Sequence, residues 1–374
     1  MNDNAGVSKM SVAERVLSGK TWDEFCDALK AAGRDILENS AADELERAEG
    51  FRYLARLSAH GLRNSFSSAA LSAPAFNYDA PKIGANNPDF LYGVCRISGA
   101  CSYRIRGRAN AAFNFNIGAY HGSLGRAEGL QCSGFLPSSA LQYDADGSFV
   151  ISASRTRQPG NWLQLRAESS QLLVRQTILK PGRDTPATLD VEIIEGDARM
   201  ALEPLSAEQL DRALGMSAMT MHGIVRQFIG WTNDFRKRPN EIHPIAPELL
   251  GLARGDPNSQ YNYGYFDLAD DEVLLIRLQP PACEYWNIQL ANHWMESLDN
   301  PDIASSINLA NAEPRTDGSV HVAISRCDPG LPNWLNTQGH LRGVIALRWV
   351  GAPPQQAPLM RCLKLAALGP ESFP

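Results

Sequence analysis

The sequence repeats part of itself, and this duplication limits the chain to folds that can be built twice. Short motifs recur at a constant separation of 171 residues (92 to 263): Tyr92-Gly93 with Tyr263-Gly264, Asn116-Ile117 with Asn287-Ile288, and Asp146-Gly147-Ser148 with Asp317-Gly318-Ser319. Small shifts extend the match to two more pairs: Asn161-Trp162-Leu163 with Asn333-Trp334-Leu335, and Arg175 with Arg348. A repeat of this kind indicates two copies of one structural unit.

The repeated segments have the alternation of β-strands. Phe115 and Ile117 alternate with Asn114 and Asn116, and the corresponding run at 285–290 also alternates. A period of two predicts strands with one apolar face. Each Asp-Gly pair lies between such runs and predicts a hairpin turn, because glycine tolerates positive φ. Each copy is therefore expected to form an antiparallel β-sandwich or jelly-roll-like domain.

Helices are predicted before the first copy and between the copies. Ser11-x-x-Glu14, Thr21-x-x-Glu24 and Ser206-x-x-Gln209 have the pattern of capping boxes, and Gly33 is a predicted helix end. The predicted fold is α+β and mainly β. It has a helical N-terminal segment (1–71), a first β domain (72–180), a linker with a helix (181–250) and a second β domain (251–374).

The composition excludes several classes of protein. A net charge of −6 across 374 residues gives no broad basic surface for nucleic acid. No apolar run has the roughly 18 residues of a membrane span, and the first residues lack the apolar core of a signal peptide. Seven scattered cysteines without a CxxC pair favour a reduced, cytoplasmic protein. A homo-oligomer is compatible with the sequence.

The second copy resembles the Domain of Unknown Function 1214 family. The resemblance rests on Tyr285-Trp286-Asn287-Ile288, the Asp317-Gly318-Ser319 turn, Asn333-Trp334-Leu335 and a last strand bearing Arg348. The family strand usually continues with tyrosine and proline, whereas Trp349-Val350 follows here. The resemblance implies two β-sandwich-like domains with helices. It also implies that the first copy occupies the place of a preceding domain of the 1254 kind.

Histidines at matching strand ends are the candidate catalytic residues. His121 follows Ile117, His293 follows Ile288, and Tyr120 adjoins the first of them. Imidazole transfers protons near neutral pH, and strand ends are where loops form pockets. The alternative is a histidine that is hydrogen-bonded at a turn.

Arginines and amides are the candidate ligand-binding residues. Arg104, Arg106 and Arg108 share one face of a predicted strand and could bind an anion, although a solvated edge strand is the alternative. The other candidates are polar residues on or near the repeated strands: Asn116, Asn287, Tyr285, His340 and Arg342.

Other motifs carry less functional information. No HExxH motif or paired Cys/His array predicts a metal site, and no phosphate loop or dinucleotide motif predicts a cofactor. The tryptophans Trp162 and Trp334 occur in both copies, which favours a structural role in each sandwich. The repeated arginines Arg106 and Arg277 are expected to form salt bridges.

Two main hypotheses of function remain. One is a cofactor-free, metal-independent enzyme of the lyase or hydrolase type. It would act on a small anionic, partly aromatic or lipophilic metabolite bound between the two β domains. The alternative is a non-catalytic β-sandwich protein that binds a small molecule or carbohydrate. A scaffold subunit is a third possibility. The sequence leaves open the substrate, the reaction, catalysis itself and which copy carries the site.

Overall fold

The computed structural model describes residues 10–66, 73–180, 182–196, 204–253, 255–298, 300, 302–369 and 371–374. Three helices precede the first strand: α1 (Val12–Leu17), α2 (Lys20–Asn39) and α3 (Glu44–Phe66). Two more follow the first repeat: α4 (Ala207–Phe235) and α5 (Pro247–Leu252). The first helices fall within the predicted segment 1–71, of which residues 1–9 and 67–71 lie outside the described ranges.

The first repeat is a sandwich of two four-stranded sheets. Its strands are β1 (Phe90–Arg96), β2 (Ser102–Arg108), β3 (Asn114–Gly122), β4 (Leu130–Pro137), β5 (Ser148–Ser154), β6 (Asn161–Gln164), β7 (Gln171–Thr177) and β8 (Thr188–Glu195). The strand orders are β1-β7-β3-β4 and β6-β5-β2-β8. Apolar side chains from both sheets, such as Ile117, Ile151 and Val174, form the core between them. This burial is the main stabilising contribution of the sandwich.

The second repeat has a similar arrangement, with one five-stranded and one four-stranded sheet. Its strands are β9 (Ile242–Pro244), β10 (Ser259–Asp267), β11 (Glu272–Leu278), β12 (Tyr285–Ala291), β13 (Ser306–Asn308), β14 (Val320–Ser325), β15 (Trp334–Asn336), β16 (Arg342–Val350) and β17 (Leu359–Lys364). The orders are β13-β12-β16-β10-β9 and β15-β14-β11-β17. Thus β10-β16-β12 corresponds to β1-β7-β3, and β15-β14-β11-β17 to β6-β5-β2-β8. The fold is α+β, with two homologous β-sandwich domains.

Strand pairing confirms that Asn116 corresponds to Asn287, but it shows that the predicted match of Tyr92 with Tyr263 was wrong. Asn116 on β3 lies opposite Arg175, and Asn287 on β12 lies opposite Arg348. On the first strands, however, Tyr92 lies opposite Arg175, whereas Tyr261 lies opposite Arg348. Tyr92 therefore corresponds to Tyr261 rather than to Tyr263. A shift of two residues keeps the same face, so the sequence pattern alone did not reveal it.

The helices form a layer over one sheet of the second repeat. Side chains of α2, α3 and α4 pack with Tyr263, Tyr265 and Ala346 from the outer face of β10 and β16. The predicted connecting helix is confirmed. Ser206 accepts a hydrogen bond from the backbone of Gln209, and Gln209 accepts one from the backbone of Ser206.

Two local predictions for the N-terminal helices were wrong. Helix α2 begins at Lys20 after Gly19, so Thr21 does not form a capping box; its hydroxyl donates to Asp211 at 2.6 Å instead. Gly33 also lies inside α2, because the helix continues to Asn39. Packing against α3 and α4 outweighs the unfavourable helix propensity of glycine, which is about 1 kcal/mol.

Within the described residues, every helix is too short or too polar to cross a membrane.

Candidate functional site

A cavity of about 210 Å³ lies between the two repeats. Its walls come from the outer faces of β1, β7, β10 and β16, from α4, and from two connecting segments around residues 80–86 and 245–255. Phe228 and Trp231 of α4 contribute aromatic surface. Because pockets form preferentially at domain junctions, this cavity is the natural candidate site.

Two buried arginines line this cavity. Arg175 of β7 is 7% exposed and Arg348 of β16 is 5% exposed. Their neighbours Val174 and Leu347 point into the sandwich cores, so strand alternation places each guanidinium on the outer face. The two arginines are equivalent in the repeat. The duplication therefore brings the same positive charge to the interface from both sides.

The two guanidinium groups are held mainly by neutral partners. Arg175 donates to the hydroxyl of Tyr120 at 2.9 Å and lies over its ring. Arg348 donates to Gln289 Oε1 at 2.6 Å and to the carbonyl oxygen of Ala85. Among the described residues, no carboxylate forms an ion pair with either group. Both remain protonated at neutral pH, because the arginine pKa lies far above it.

The carbonyl that Arg348 binds comes from a backbone in an unusual conformation. Ala85 is fully buried and has a φ of 53°. This value lies in the left-handed region, which residues with a Cβ atom seldom adopt. Its N–H donates to the carbonyl of Met295 at 2.6 Å, and Met295 also has a positive φ, of 60°. Such strained residues persist only where the surroundings fix them, and they concentrate at functional sites.

Aromatic rings form one wall of the cavity. Tyr261 and Tyr263 are parallel, with ring centroids 6.5 Å apart, and Tyr263 stacks on Phe235 at 5.2 Å. Burial raises the pKa of Tyr263 to about 12, although Arg348 opposes this effect. Burial also raises the pKa of Tyr92, against the positive charge of Arg348 and Arg175. These hydroxyls are therefore neutral donors at physiological pH.

A motif shared by the repeats positions the first strand of each. Asn87-Pro88-Asp89 precedes Tyr92, and Asp256-Pro257-Asn258 precedes Tyr261. The N–H of Asn87 donates to the Tyr92 hydroxyl at 3.0 Å, and the N–H of Asp256 donates to the Tyr261 hydroxyl at 3.1 Å. Each first side chain also accepts from the backbone N–H two residues later, which forms an Asx turn.

The three predicted catalytic residues lie apart from the cavity lining. His121 is half-buried, and its Nδ1 lies 2.8 Å from the Ser133 hydroxyl. His293 is 2% exposed beneath the helices, and its Nδ1 lies 2.8 Å from the Tyr265 hydroxyl. Burial, together with Arg236, lowers the pKa of His293 to about 4. Tyr120 lies just behind the cavity, where it binds Arg175.

The predicted arginine row lies on the outer sheet of the first repeat. Arg104 and Arg106 both pair with Glu192, at 2.8 and 2.7 Å, and Arg108 lies 3.7 Å from Asp146. The acidic partners agree with the solvated alternative, but β2 lies between β5 and β8 and is not an edge strand. Arg277 pairs with Asp317 at 3.3 Å, as expected for a structural salt bridge.

Three predicted polar residues lie at the interface of the repeats. Asn116 donates to Asp256 at 3.2 Å, Asn287 donates to Asn87 at 3.2 Å, and the Tyr285 hydroxyl donates to Asp89 at 2.6 Å. These three side chains lie at the interface on β3 and β12 but do not line the cavity. Tyr285 and Asn287 are linked to Arg348 through Asn87 and Gln289. Tyr120 instead binds Arg175, and Asn116 binds Asp256.

His340 and Arg342 instead contact helix α3. His340 Nε2 lies 2.9 Å from Glu49, and Arg342 lies 3.7 Å from Glu46. Burial lowers the pKa of His340, but Glu49 outweighs this effect and raises it overall. These contacts attach the helical layer to the second sandwich.

In the Asn-Trp-Leu motifs the leucines, Leu163 and Leu335, lie in the sandwich cores, whereas Trp162 and Trp334 are half-buried outside them. In each copy the asparagine side chain donates to two backbone carbonyls of a neighbouring loop and strand: Asn161 to Gln142 and Val150, and Asn333 to Glu313 and His321. Their position is remote from the arginine cavity. No cluster of three or more metal-binding side chains occurs within the described parts of the chain.

Sequence reasoning did not assign the cavity arginines to a site, although it matched Arg175 with Arg348. The signal that could have found the site is the Asx-Pro-Asx-x-x-Tyr pattern. It recurs at 87–92 and 256–261, a separation of 169 residues (92 to 261). Because this pattern is offset by 169 residues, it is not aligned when the two copies are compared at a separation of 171.

The comparisons with known proteins agree with this architecture. The family described as "Protein of unknown function (DUF1214)" matches the chain twice, over residues 95–181 and 269–354. A crystal structure of an uncharacterised protein from Burkholderia cenocepacia is 38% identical, with a TM-score of 0.89. The match covers 96% of this chain and 100% of that one. None of the curated proteins matches.

A more distant crystal structure shares the fold. The VPA0106 protein from Vibrio parahaemolyticus has a TM-score of 0.52 at 10% identity, over 90% of this chain and 100% of that chain. Fold and cavity together define a tandem β-sandwich protein with an arginine-lined site between its domains. The chain belongs to the DUF1214 family, and both repeats match that family. That the first repeat is a domain of the 1254 kind stays a prediction.

Proposed function

We propose that the protein binds a small anionic, partly aromatic or lipophilic metabolite in the cavity between the two β domains. The observation that carries this proposal is the pair of buried guanidinium groups at Arg175 and Arg348, which line the cavity without an ion-pair partner among the described residues. A buried charge is costly unless it is paired, so an anionic ligand would stabilise the site.

The walls of the cavity favour a ligand with an apolar body. Val94, Leu173, Phe228 and Trp231 line it together with the tyrosine wall. Stacking and burial against such surfaces stabilise an aromatic or aliphatic group. The volume of about 210 Å³ lies below the roughly 300–1,000 Å³ of sites for drug-sized ligands, which supports a small metabolite.

We also propose that the site supports lyase or hydrolase chemistry without a metal or cofactor. The observation that favours catalysis is the position of the tyrosine hydroxyls beside the guanidinium groups. Tyr92 lies within the electrostatic influence of both arginines, which would stabilise a negative charge that develops on a substrate. Proton transfer in this cavity would use Tyr92 or Tyr263, while His121 and His293 lie outside its lining.

Ligand binding is tested by calorimetry with matched pairs of small molecules. Benzoate, phenylacetate and hexanoate are compared with their neutral amides, and the melting temperature is measured in parallel. We expect the anions to bind and the amides to fail. Arg175→Met keeps the apolar stem of the side chain and should weaken binding of the anions, whereas Arg277→Met, at an exposed salt bridge, should leave it unchanged. Equal binding of acids and amides would contradict the proposal.

Catalysis is tested separately with Tyr92→Phe and Tyr263→Phe. Each variant keeps the aromatic ring and removes the hydroxyl, so it should still bind a ligand found in the first experiment. If a substrate is turned over, at least one of the two variants should lose turnover while binding persists. Full activity in the double variant would show that groups other than these two hydroxyls carry out the proton transfer.

The proposal includes a cytoplasmic location, because all seven cysteines are free. It includes the small molecule as partner, with neither nucleic acid nor membrane. The capacity to form a homo-oligomer stays a prediction.

A further inference from the structure

We infer that the ligand of the cavity carries two separate anionic groups, as a small dicarboxylate does, with one group for each arginine. This inference rests on the proposed function and specifies its ligand class. Arg175 and Arg348 occupy equivalent positions on β7 and β16, and both line the same cavity. The duplication has therefore produced two cationic subsites that face one space.

Two carboxyl groups lie near the arginines, but they do not replace an anionic ligand as ion-pair partners. Asp256 is buried near Arg175, and Asp89 is largely buried near Arg348. Among the described residues, neither carboxyl forms an ion pair with Arg175 or Arg348, and both accept hydrogen bonds from other groups. Asp256 accepts from Asn116 and from the backbone of Asn258, while Asp89 accepts from Tyr285 and Asn308. Burial raises the pKa of both carboxyls, although Arg175 opposes this effect at Asp256 and Arg348 opposes it at Asp89.

The two subsites differ in how firmly the arginine is held. Arg348 donates to Gln289 and Ala85, so its guanidinium is fixed in place. Arg175 has one hydrogen bond, to Tyr120, among the contacts of the described residues. A guanidinium carries five N–H donors, so most donors of Arg175 remain available for a carboxylate. A monoanion would satisfy one subsite and leave the other buried charge without a partner.

The surface between the arginines favours an apolar spacer. Tyr92 and Tyr261 line the cavity together with the two arginines, and each lies within the electrostatic influence of both guanidinium groups. Leu173 and Trp231 line the same space. A dicarboxylate whose acid groups are joined by a short aliphatic chain or one aromatic ring fits this arrangement.

Matched acids that differ only in their second carboxylate test the inference. Hexanoate is compared with adipate, and benzoate with isophthalate and terephthalate; succinate and glutarate vary the separation of the acid groups. Phenyl phosphate carries two charges on one group and serves as a further probe. We expect at least one diacid to bind wild-type protein tenfold or more tightly than its monoacid, by calorimetry at low salt.

Variants of the two arginines test whether these residues cause the preference for diacids over monoacids. Arg175→Met should reduce the ratio of diacid to monoacid affinity to about one, and Arg277→Met should leave it unchanged. Arg348→Lys keeps the charge at the second subsite and should retain part of the preference. A circular dichroism spectrum of each variant verifies its fold.

Three outcomes would overturn the inference. If monoacids bind as tightly as every diacid, the ligand needs one charge only, and the proposed function stands without this refinement. If phenyl phosphate alone binds, the charges belong to one group. If no anion binds to the wild-type protein, the inference and the proposed function both fail.

Discussion

Asn87 and Asp256 occupy equivalent positions in the two repeats, and each contacts the third strand of the other repeat. The side-chain carbonyl of Asn87 accepts from Asn287 at 3.2 Å, and Asp256 accepts from Asn116 at 3.2 Å. The two sandwiches therefore exchange polar side chains across a pseudo-two-fold interface. Each sandwich supplies a hydrogen-bond acceptor to the other sandwich beside the arginine cavity.

This exchange predicts energetic coupling between Asn87 and Asn287. Each asparagine is about 1% exposed or less, so replacement by alanine leaves a buried partner unsatisfied. We expect each single variant to lose about 1–3 kcal/mol of unfolding free energy. In a double-mutant cycle measured by urea denaturation, the coupling should exceed about 0.5 kcal/mol. Asn87→Ala combined with Asn161→Ala, at the start of the remote strand β6, should be additive. Additivity of both pairs would contradict the coupling.

The buried carboxyl of Asp256 predicts a variant with stronger anion binding. Asp256→Asn keeps the shape of the side chain and removes a negative charge near Arg175. We expect affinity for a monoanion such as benzoate to rise several-fold, on the order of 1 kcal/mol at an effective dielectric constant near 20. Calorimetry checks this change. The exposed Asp146→Asn should have no effect, and unchanged binding in Asp256→Asn would place the anion away from Arg175.

His293 predicts a loss of stability in mild acid. Its pKa is about 4 in the folded protein, mainly because of burial, and about 6.5 in an unfolded chain. The unfolded state therefore binds more protons between these values, so stability is full above pH 6.5 and falls towards pH 4. The loss is about 3 kcal/mol. His293→Gln should have a flatter profile of unfolding free energy across this range, and parallel profiles would contradict the assignment.

His340 predicts the opposite dependence on pH. Glu49 outweighs burial and raises the pKa of His340, so the protonated form is favoured in the folded protein. Its contribution is complete below pH 6.5 and is lost as the pH rises through the folded pKa. The difference in unfolding free energy between wild type and His340→Gln should shrink above pH 6.5. His243→Gln, at the more exposed pair with Glu241, provides the control and should show little change.

The sequence predicted the architecture because the repeat preserves strand faces. Alternation at Phe115 and Asn116, and again at Trp286 and Asn287, identified the inward and outward sides of β3 and β12 correctly. The capping box at Ser206 also located the start of α4, because it involves only Ser206 and Gln209. Such patterns depend on neighbours a few residues away, which a sequence shows directly.

The candidate site was predicted only in part, because it depends on which outer faces meet. Asn116, Asn287, Tyr285 and Tyr120 do lie around the interface network, whereas His293 lies under the helices. An outward polar residue on a strand can face solvent, a helix or a second domain. The pattern of alternation is the same in all three cases.

The sequence by itself determined that two copies of one sandwich exist and which side chains leave each core. Only the tertiary structure decided that the outer faces of β7 and β16 border one cavity, and that Arg175 and Arg348 line it together. The physical reason is that strand periodicity comes from local backbone geometry. The docking of two domains instead depends on contacts between residues such as Asn87 and Asn287, which lie 200 positions apart in the chain.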